Sequence, residues 1–143
     1  MTFVLIEKPM PHVTQITLNR PERMNAMAFD VMVPFKQALE TASGDNDTRV
    51  VIVTGAGDGF CAGADLEDPG WLDSFDGLTL PAIARRAMSV LEDVVRALHD
   101  MPQPVIGAIN GAAIGGGFCL AMATDIRVVS DRAYFRPAGI NNG

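Results

Sequence analysis

The chain has 143 residues, 48% of them hydrophobic, which is the size of one domain with enough material for a core. Its formal net charge of -6 argues against binding to nucleic acid or to an anionic membrane, because Lys and Arg are scattered along the chain. The two cysteines, Cys61 and Cys119, are too few for a disulfide scaffold, and their apolar, glycine-rich surroundings suit reduced, buried thiols in a cytoplasmic compartment. The N-terminus has no signal-peptide pattern.

The first half of the chain predicts two strands, a loop, a helix and a third strand. Two short runs rich in β-branched residues, 3–7 and 13–18, predict a strand pair, and a loop follows over 19–27. Apolar residues at helical spacing predict a helix over 29–42 that ends at the turn sequence SGDND. The run RVVIVT, residues 49–54, predicts a strand buried on both faces, followed by a glycine-rich loop.

The second half predicts a long helix and further strands around a second glycine-rich turn. Residues 71–80 are irregular and acidic, as is typical of a mobile surface, and amphipathic spacing predicts a helix over 81–99. A strand is predicted over 104–110, and the turn GAAIGGG leads into a helix that ends near residue 123. A last strand is predicted over 126–129. No element follows to cover the last residues, so we expect residues 1–143 to form an incomplete α/β domain.

An uncharged stretch, residues 101–124, offers a membrane helix as an alternative. Three of its glycines have the spacing of a membrane-helix dimerisation motif. Two prolines, Asn110 and three consecutive glycines are poor material for one continuous span. We therefore expect a buried strand, a turn and a buried helix here, with no membrane span.

Two segments share the order of apolar strand, glycine-rich turn and helix start. They are VVIVTGAGDGFCAGADL, residues 50–66, and PVIGAINGAAIGGGFCL, residues 104–120. The repetition suggests stacked strand-turn-helix units of right-handed sense. A turn of this kind presents unpaired backbone N–H groups at the positive end of a helix dipole, where a phosphate or an oxyanion can bind.

Known phosphate motifs do not fit these turns. Phe60 stands where the dinucleotide fingerprint needs its third glycine, and Gly117 stands where the P-loop needs its lysine. Two interpretations remain. Either one N–H from each turn forms an oxyanion hole, or the glycines only allow tight packing of helix on strand.

Three segments closely resemble the crotonase family of enoyl-CoA hydratases and isomerases: ITLNRPERMNAM, VVIVTGAGDGFCAGADL and PVIGAINGAAIGGGFCLAMATDIRVVS. The resemblance implies a crotonase-like α/β spiral of repeated β-β-α units and a homotrimer or dimer of trimers. It also implies an acyl-CoA thioester as substrate, in fatty-acid or related acyl-CoA metabolism, with no metal and no cofactor beyond the CoA of the thioester. Since the resemblance covers about the first half of a usual family member, we expect the C-terminal trimerisation helices to be absent.

The resemblance also implies the site. The backbone N–H groups of Ala64 and Gly116 would form the oxyanion hole for the thioester carbonyl. The residues expected around CoA, mostly through backbone contacts, are Ala62, Asp65 and Leu66, with Met24 and Ala26 nearby. Arg23 is a candidate for the CoA phosphates because of its charge and loop position, and a solvated loop arginine is the alternative.

The family pattern breaks at both expected catalytic glutamates. Cys119 stands where hydratases carry the first, two residues after the triple glycine, and Gly139 in FRPAG stands at the second. We expect Cys119 to be a small buried core residue, and Asp125 to be a structural hydrogen-bond acceptor. His12 and His99 are expected to lie away from the site.

Three hypotheses follow. The first is an enzyme of the family that stabilises an enolate and takes its acid or base from outside this chain, or catalyses another oxyanion-dependent reaction. The second is a protein that keeps the acyl-CoA pocket without hydratase activity. The third is a membrane or scaffold protein.

Overall fold

The computed structural model of the chain describes residues 2–138, and every structural statement below concerns those residues. Its strands are β1 (Val4–Met10), β2 (Val13–Leu18), β3 (Val50–Gly55), β4 (Gly59–Cys61), β5 (Val105–Ile109), β6 (Ala112–Ile114), β7 (Ile126–Val129) and β8 (Phe135–Arg136). Its helices are α1 (Phe29–Gly44), α2 (Leu80–His99) and α3 (Gly116–Ala123), with short 3-10 turns at Pro21–Arg23 and Asp73–Phe75.

The strands form two sheets. The larger has the order β1-β2-β3-β5-β7, and the smaller has the order β4-β6-β8. Only β1 and β2 pair antiparallel, whereas all other pairs are parallel. Successive strands β3 and β4, then β5 and β6, enter the larger and then the smaller sheet before a helix follows. This is the repeated β-β-α arrangement that the family resemblance implies.

The hydrophobic core lies between the larger sheet and the helices. Helix α1 buries one face, consisting of Val31, Met32, Phe35, Ala38, Leu39 and Ala42. Against it lie buried sheet residues such as Ile16, Val51 and Val53, together with Val94 and Leu98 of α2. Burial of a Leu or Phe side chain typically contributes about 1.5–3 kcal/mol, so this face is enough to hold the helix on the sheet.

Parallel pairing decides where the loops meet. Because β2, β3 and β5 are parallel neighbours, their carboxyl ends lie at one edge of the larger sheet. The loop before α1, the glycine-rich turn after β3 and the turn after β5 all start at this edge. Ligand sites of parallel α/β sheets are usually found there.

Most predicted elements are confirmed, and two expectations are wrong. Strand β7 has the predicted bounds, and α2 begins one residue earlier than predicted. No helix starts after CAGADL, because residues 62–79 run as loop and 3-10 turn before α2. Strand β3 alternates between buried and half-buried positions instead of being buried on both faces. The segment 71–80 is irregular, as predicted, apart from the 3-10 turn, and its residue Phe75 is buried and packs edge-on against Phe29 at 4.9 Å.

The stretch 101–124 contains β5, β6 and α3, as predicted in place of a membrane helix. Among residues 2–138, no helix has the length and apolar character needed to span a bilayer.

Candidate active site

The loop 19–28 is held against the first glycine-rich turn by one buried amide, Asn25. Its Oδ1 accepts a hydrogen bond from the Arg20 amide at 2.9 Å, and its Nδ2 donates to the carbonyls of Ala56 (2.9 Å) and Gly59 (2.8 Å). Met24 and Asn25 have positive φ angles of 50° and 55°. Asn tolerates this conformation better than most residues. Here the Asn25 side chain also supplies hydrogen-bond partners for three backbone groups of the two loops.

The same loop pairs with the segment CAGADL through backbone hydrogen bonds. The Ala62 amide donates to the Met24 carbonyl at 3.0 Å, and the Met27 amide donates to the Gly63 carbonyl at 2.7 Å. The Asp65 amide donates to the Met27 carbonyl at 3.2 Å, which completes a one-residue parallel bridge between Met27 and Ala64. Two segments about 40 residues apart in sequence are thereby fixed side by side.

The Asp65 side chain lies at the centre of an ion-pair cluster and is 1% exposed. One carboxylate oxygen accepts from Arg23 Nη2 at 2.5 Å, and the other accepts from Arg20 Nη1 at 3.1 Å. The pKa of Asp65 lies well below its ordinary value, first because of the hydrogen bonds from Arg23 and then because of the backbone amides of Asp68 and Glu67. Asp65 thus points inward as an anchor and leaves its backbone on the surface of the loop.

Arg23 is held by carboxylates on both sides. Its guanidinium donates to Asp65 and, through Nη1, to Glu67 at 2.8 Å. These pairs raise the pKa of Arg23 above its ordinary value. Arg23 is therefore not a freely solvated loop arginine. Its role toward the CoA phosphates stays a prediction.

The two glycine-rich turns contact each other at Gly63 and Gly116. A Cβ atom on Gly63 would lie 3.3 Å from Gly116 N, and a Cβ atom on Gly116 would lie 3.9 Å from Gly63 Cα. Gly116 is the first residue of α3, and helix starts carry free amides and a partial positive charge. Within residues 2–138, neither the Ala64 amide nor the Gly116 amide donates a hydrogen bond to another described group.

Two pockets flank this contact. The first, which we call the loop pocket, has a volume of about 380 Å³, and Ala64 lies on its wall. The second, which we call the apolar pocket, has a volume of about 630 Å³, and Gly116 lies on its wall. The loop pocket is lined by Glu22, Arg23, Met24, Ala26, Ala62, Ala64, Asp65, Leu66 and Glu67. These include every residue that the family resemblance places around CoA, and Arg23.

The apolar pocket lies between α2, α3 and the loop before α1. Its lining residues are Met27, Met88, Leu91, Glu92, Val95, Arg96, His99, Gly116 and Cys119. The α2 members recur every three or four residues, so they form one face of that helix. No functional motif marks this face in the sequence, and its only sequence signal is the helical spacing itself.

Two expectations about this region are wrong. Cys119 is exposed and lines the apolar pocket, whereas burial was expected. His99 lines the same pocket as Gly116, although it was expected to lie away from the site. Both errors have one cause. The packing of α2 against α3 decides which residues of the two helices face the pocket, and the sequence does not show this packing.

Other expectations are confirmed. Cys61 is buried, and burial raises the pKa of its thiol to about 12. Asp125 Oδ2 accepts a hydrogen bond from the Val105 amide at 2.8 Å, as expected for a structural acceptor. His12 is exposed, lies 3.0 Å from Asp47 and directly precedes β2, at the sheet edge opposite the glycine-rich turns. Gly139 lies outside the described residues.

No metal site is visible in this arrangement. In the part of the chain that the structure describes, no three His, Cys, Asp or Glu side chains are grouped so that they could bind a metal ion. What the geometry offers chemically is a pair of free backbone donors, a polar pocket on one side and an apolar pocket on the other.

Comparison with known proteins agrees with the motifs. The family described as enoyl-CoA hydratase/isomerase matches residues 10–143. The probable enoyl-CoA hydratase EchA12 of Mycobacterium tuberculosis is 59% identical over 143 residues, which cover 100% of this chain and 50% of that protein. The chain thus spans about half the length of the curated relatives it matches.

Solved structures give the same result. The crystal structure of a probable enoyl-CoA hydratase/isomerase from Mycobacterium abscessus has a TM-score of 0.90 and 61% identity, covering 99% of this chain and 52% of that one. A monofunctional enoyl-CoA isomerase from M. smegmatis has a TM-score of 0.78 and 48% identity, covering 97% and 55%. From its motifs, its fold and these matches, the chain belongs to the enoyl-CoA hydratase/isomerase family and has the crotonase fold.

Proposed function

We propose that the protein binds an acyl-CoA thioester and stabilises its enolate with the backbone amides of Ala64 and Gly116. The observation that carries this proposal is the contact between the two glycine-rich turns. It brings the two amide-bearing segments together, and neither amide donates to another described group. Two donors aimed at one carbonyl oxygen favour the enolate over the neutral thioester, and loss of one such donor typically costs about 10²–10³ in rate.

The two pockets suit the two parts of such a ligand. Met27, Met88, Leu91 and Val95 make the apolar pocket suitable for an acyl chain. On the other side of the Gly63–Gly116 contact, the loop pocket would take the CoA portion against Met24, Ala26, Ala62, Asp65 and Leu66, with Arg23 beside it. The names of two relatives, an enoyl-CoA hydratase and an enoyl-CoA isomerase, both describe chemistry on enoyl-CoA thioesters.

One observation favours a second candidate, a protein that binds acyl-CoA without hydrating it. Cys119 occupies the position where the family resemblance places a catalytic glutamate, and it lines the apolar pocket. A thiol there does not supply the carboxylate that hydration normally uses. We therefore expect crotonyl-CoA hydration to be slow compared with that of ordinary hydratases.

The test uses the full-length protein and two variants at one position. Gly116→Pro removes the amide hydrogen, whereas Gly116→Ala keeps it. Both variants add a Cβ atom next to Met27. Binding of butyryl-CoA is measured by calorimetry, and hydration of crotonyl-CoA is followed by loss of the enoyl absorbance. We expect the wild type to bind butyryl-CoA, and we expect the proline variant to lose at least 10-fold more activity or affinity than the alanine variant.

Two results would contradict the proposal. Absence of butyryl-CoA binding by the wild type would remove its basis. Equal behaviour of Gly116→Pro and Gly116→Ala, in folded proteins, would show that the Gly116 amide has no role. Fast crotonyl-CoA hydration would leave the oxyanion hole in place but refute the atypical chemistry inferred from Cys119.

We also propose a homotrimer or dimer of trimers for the full-length protein, a cytoplasmic location and a role in fatty-acid or related acyl-CoA metabolism. These proposals rest on the family. Light scattering of the full-length protein tests the oligomeric state.

A further inference from the structure

The apolar pocket contains one carboxylate whose position the family motifs do not explain. Glu92 lies on α2, in the face that also carries Met88, Leu91 and Val95. Across the pocket lie Gly116 and Cys119 of α3. Among the described side chains that line the pocket, Glu92 is the only carboxylate.

The surroundings of Glu92 distinguish it from a surface ion-pair residue. Arg96 follows it by one helical turn, a spacing at which Glu and Arg often pair, but no described cation lies within 4.0 Å of the Glu92 carboxylate. The pocket wall is mostly apolar, with Met27, Met88, Leu91 and Val95 beside Arg96 and His99. An acyl chain that fills this pocket would lie against the Glu92 side chain, within reach of its carboxylate.

From this juxtaposition, and resting on the proposed function, we infer that Glu92 is the acid-base residue that moves the substrate proton beside the oxyanion hole. The carboxylate takes a proton from C2 of a 3-enoyl-CoA, and the electron pair of the C2–H bond becomes a dienolate whose oxygen is held by the Ala64 and Gly116 amides. The same group then returns the proton to C4, so the double bond moves from C3–C4 to C2–C3. Charge and atoms balance with no other reactant.

One carboxylate is sufficient for this isomerisation, whereas hydration also needs a water molecule and a group to activate it. The site would therefore shift double bonds or exchange C2 protons even though position 119 is a cysteine and not a glutamate. Other charged or titratable groups that face the pocket are Arg96 and His99 from α2 and Cys119 from α3. His99 is the alternative base, and it lies at the end of α2, seven residues from Glu92.

The experiment measures proton exchange separately from binding, in the full-length protein. Exchange of the C2 protons of butyryl-CoA in D₂O is followed by NMR, and isomerisation of 3-hexenoyl-CoA is followed by the rise of the conjugated enoyl absorbance. Glu92→Gln removes the base and keeps the shape, and Glu92→Asp restores a carboxylate. The matched control is Asp93→Asn, because Asp93 is the next residue on α2 but lines a different groove.

We expect Glu92→Gln to slow exchange and isomerisation by about 10²-fold or more, with the Kd for butyryl-CoA changed less than threefold. We expect Glu92→Asp to recover part of the rate, and Asp93→Asn to retain the wild-type rate. The circular-dichroism melting curve of Glu92→Gln should match that of the wild type, because the side chain is exposed.

Three results would overturn the inference. Wild-type exchange in Glu92→Gln would exclude Glu92, and loss of exchange only in His99→Gln would assign the base to His99. A wild type that binds butyryl-CoA but neither exchanges nor isomerises would refute the acid-base role and leave the proposed oxyanion hole intact. Failure of the wild type to bind butyryl-CoA would instead refute the proposed function itself.

Discussion

Gly63 and Gly116 lie against each other, and their contact joins the two glycine-rich turns. Gly63 has a φ of +87°, and a Cβ atom there would lie 2.7 Å from the Ile114 carbonyl oxygen and 3.3 Å from Gly116 N. A side chain at Gly63 would therefore strain its own backbone and push the second turn away. Glycine is needed at position 63 because backbone meets backbone there.

The first prediction concerns Gly63→Ala. We expect it to lower the free energy of unfolding by about 1–3 kcal/mol, because the left-handed conformation and the clash with Ile114 both cost energy. Binding of butyryl-CoA should weaken as well. Urea unfolding and calorimetry measure these effects. The control is Gly44→Ala, because a Cβ there meets nothing within 4 Å, and we expect unchanged stability or a small gain. Equal stability of the two variants would contradict the close approach.

A second prediction couples Gly116 to Met27. A Cβ atom on Gly116 would overlap the Met27 sulfur, so Gly116→Ala should destabilise the protein. Shortening the opposing side chain should relieve this overlap. In a double-mutant cycle, we expect Met27→Ala combined with Gly116→Ala to be more stable than the sum of the two single effects allows, by about 1 kcal/mol. Strict additivity in urea unfolding would show that the two side chains do not meet.

The third prediction uses the Asp65 cluster. Because its pKa is lower in the folded state than the ordinary 3.8, Asp65 stabilises the fold fully above that value. The contribution is lost as the pH falls below 3.8 toward the lower pKa of the folded state. Removing one member of a buried pair is typically costly, so we expect Asp65→Asn to cost about 3 kcal/mol at pH 7 and progressively less below pH 4.

Urea unfolding at pH 7 and at pH 3 checks this dependence on pH. Asp73→Asn serves as the control, since Asp73 is exposed, and its effect should be small at both values. A cost of Asp65→Asn that is the same at both pH values would mean that the carboxylate is not stabilised by its arginine partners.

The fourth prediction separates the two thiols. Cys119 is exposed on the apolar pocket, whereas Cys61 is buried and its pKa is raised to about 12. Because the thiolate is the reactive form, iodoacetamide at pH 8 should alkylate Cys119 at least 10-fold faster than Cys61. Peptide mass spectrometry assigns each site, and urea should abolish the difference. Butyryl-CoA should slow the alkylation of Cys119, and no protection would contradict an acyl chain in this pocket.

How much could be predicted from the sequence depends on the range of the interactions involved. The bounds of β7 and α2 follow from apolar periodicity, which depends on residues a few positions apart. The helix expected after CAGADL does not form there. Backbone pairing of 62–65 with the loop 24–27 holds that segment extended, and this pairing joins residues that are distant in sequence.

The candidate site divides in the same way. By itself, the sequence determined the family, through the order and spacing of its motifs, and with it the residues that now share the loop pocket. Only the tertiary structure decided that Arg23 is paired with Asp65 and that Cys119 is exposed. It alone decided that Glu92 and His99 of α2 line the same pocket as Gly116. The reason is physical: a motif specifies backbone shape locally, whereas exposure and charge pairing depend on which distant element packs against it.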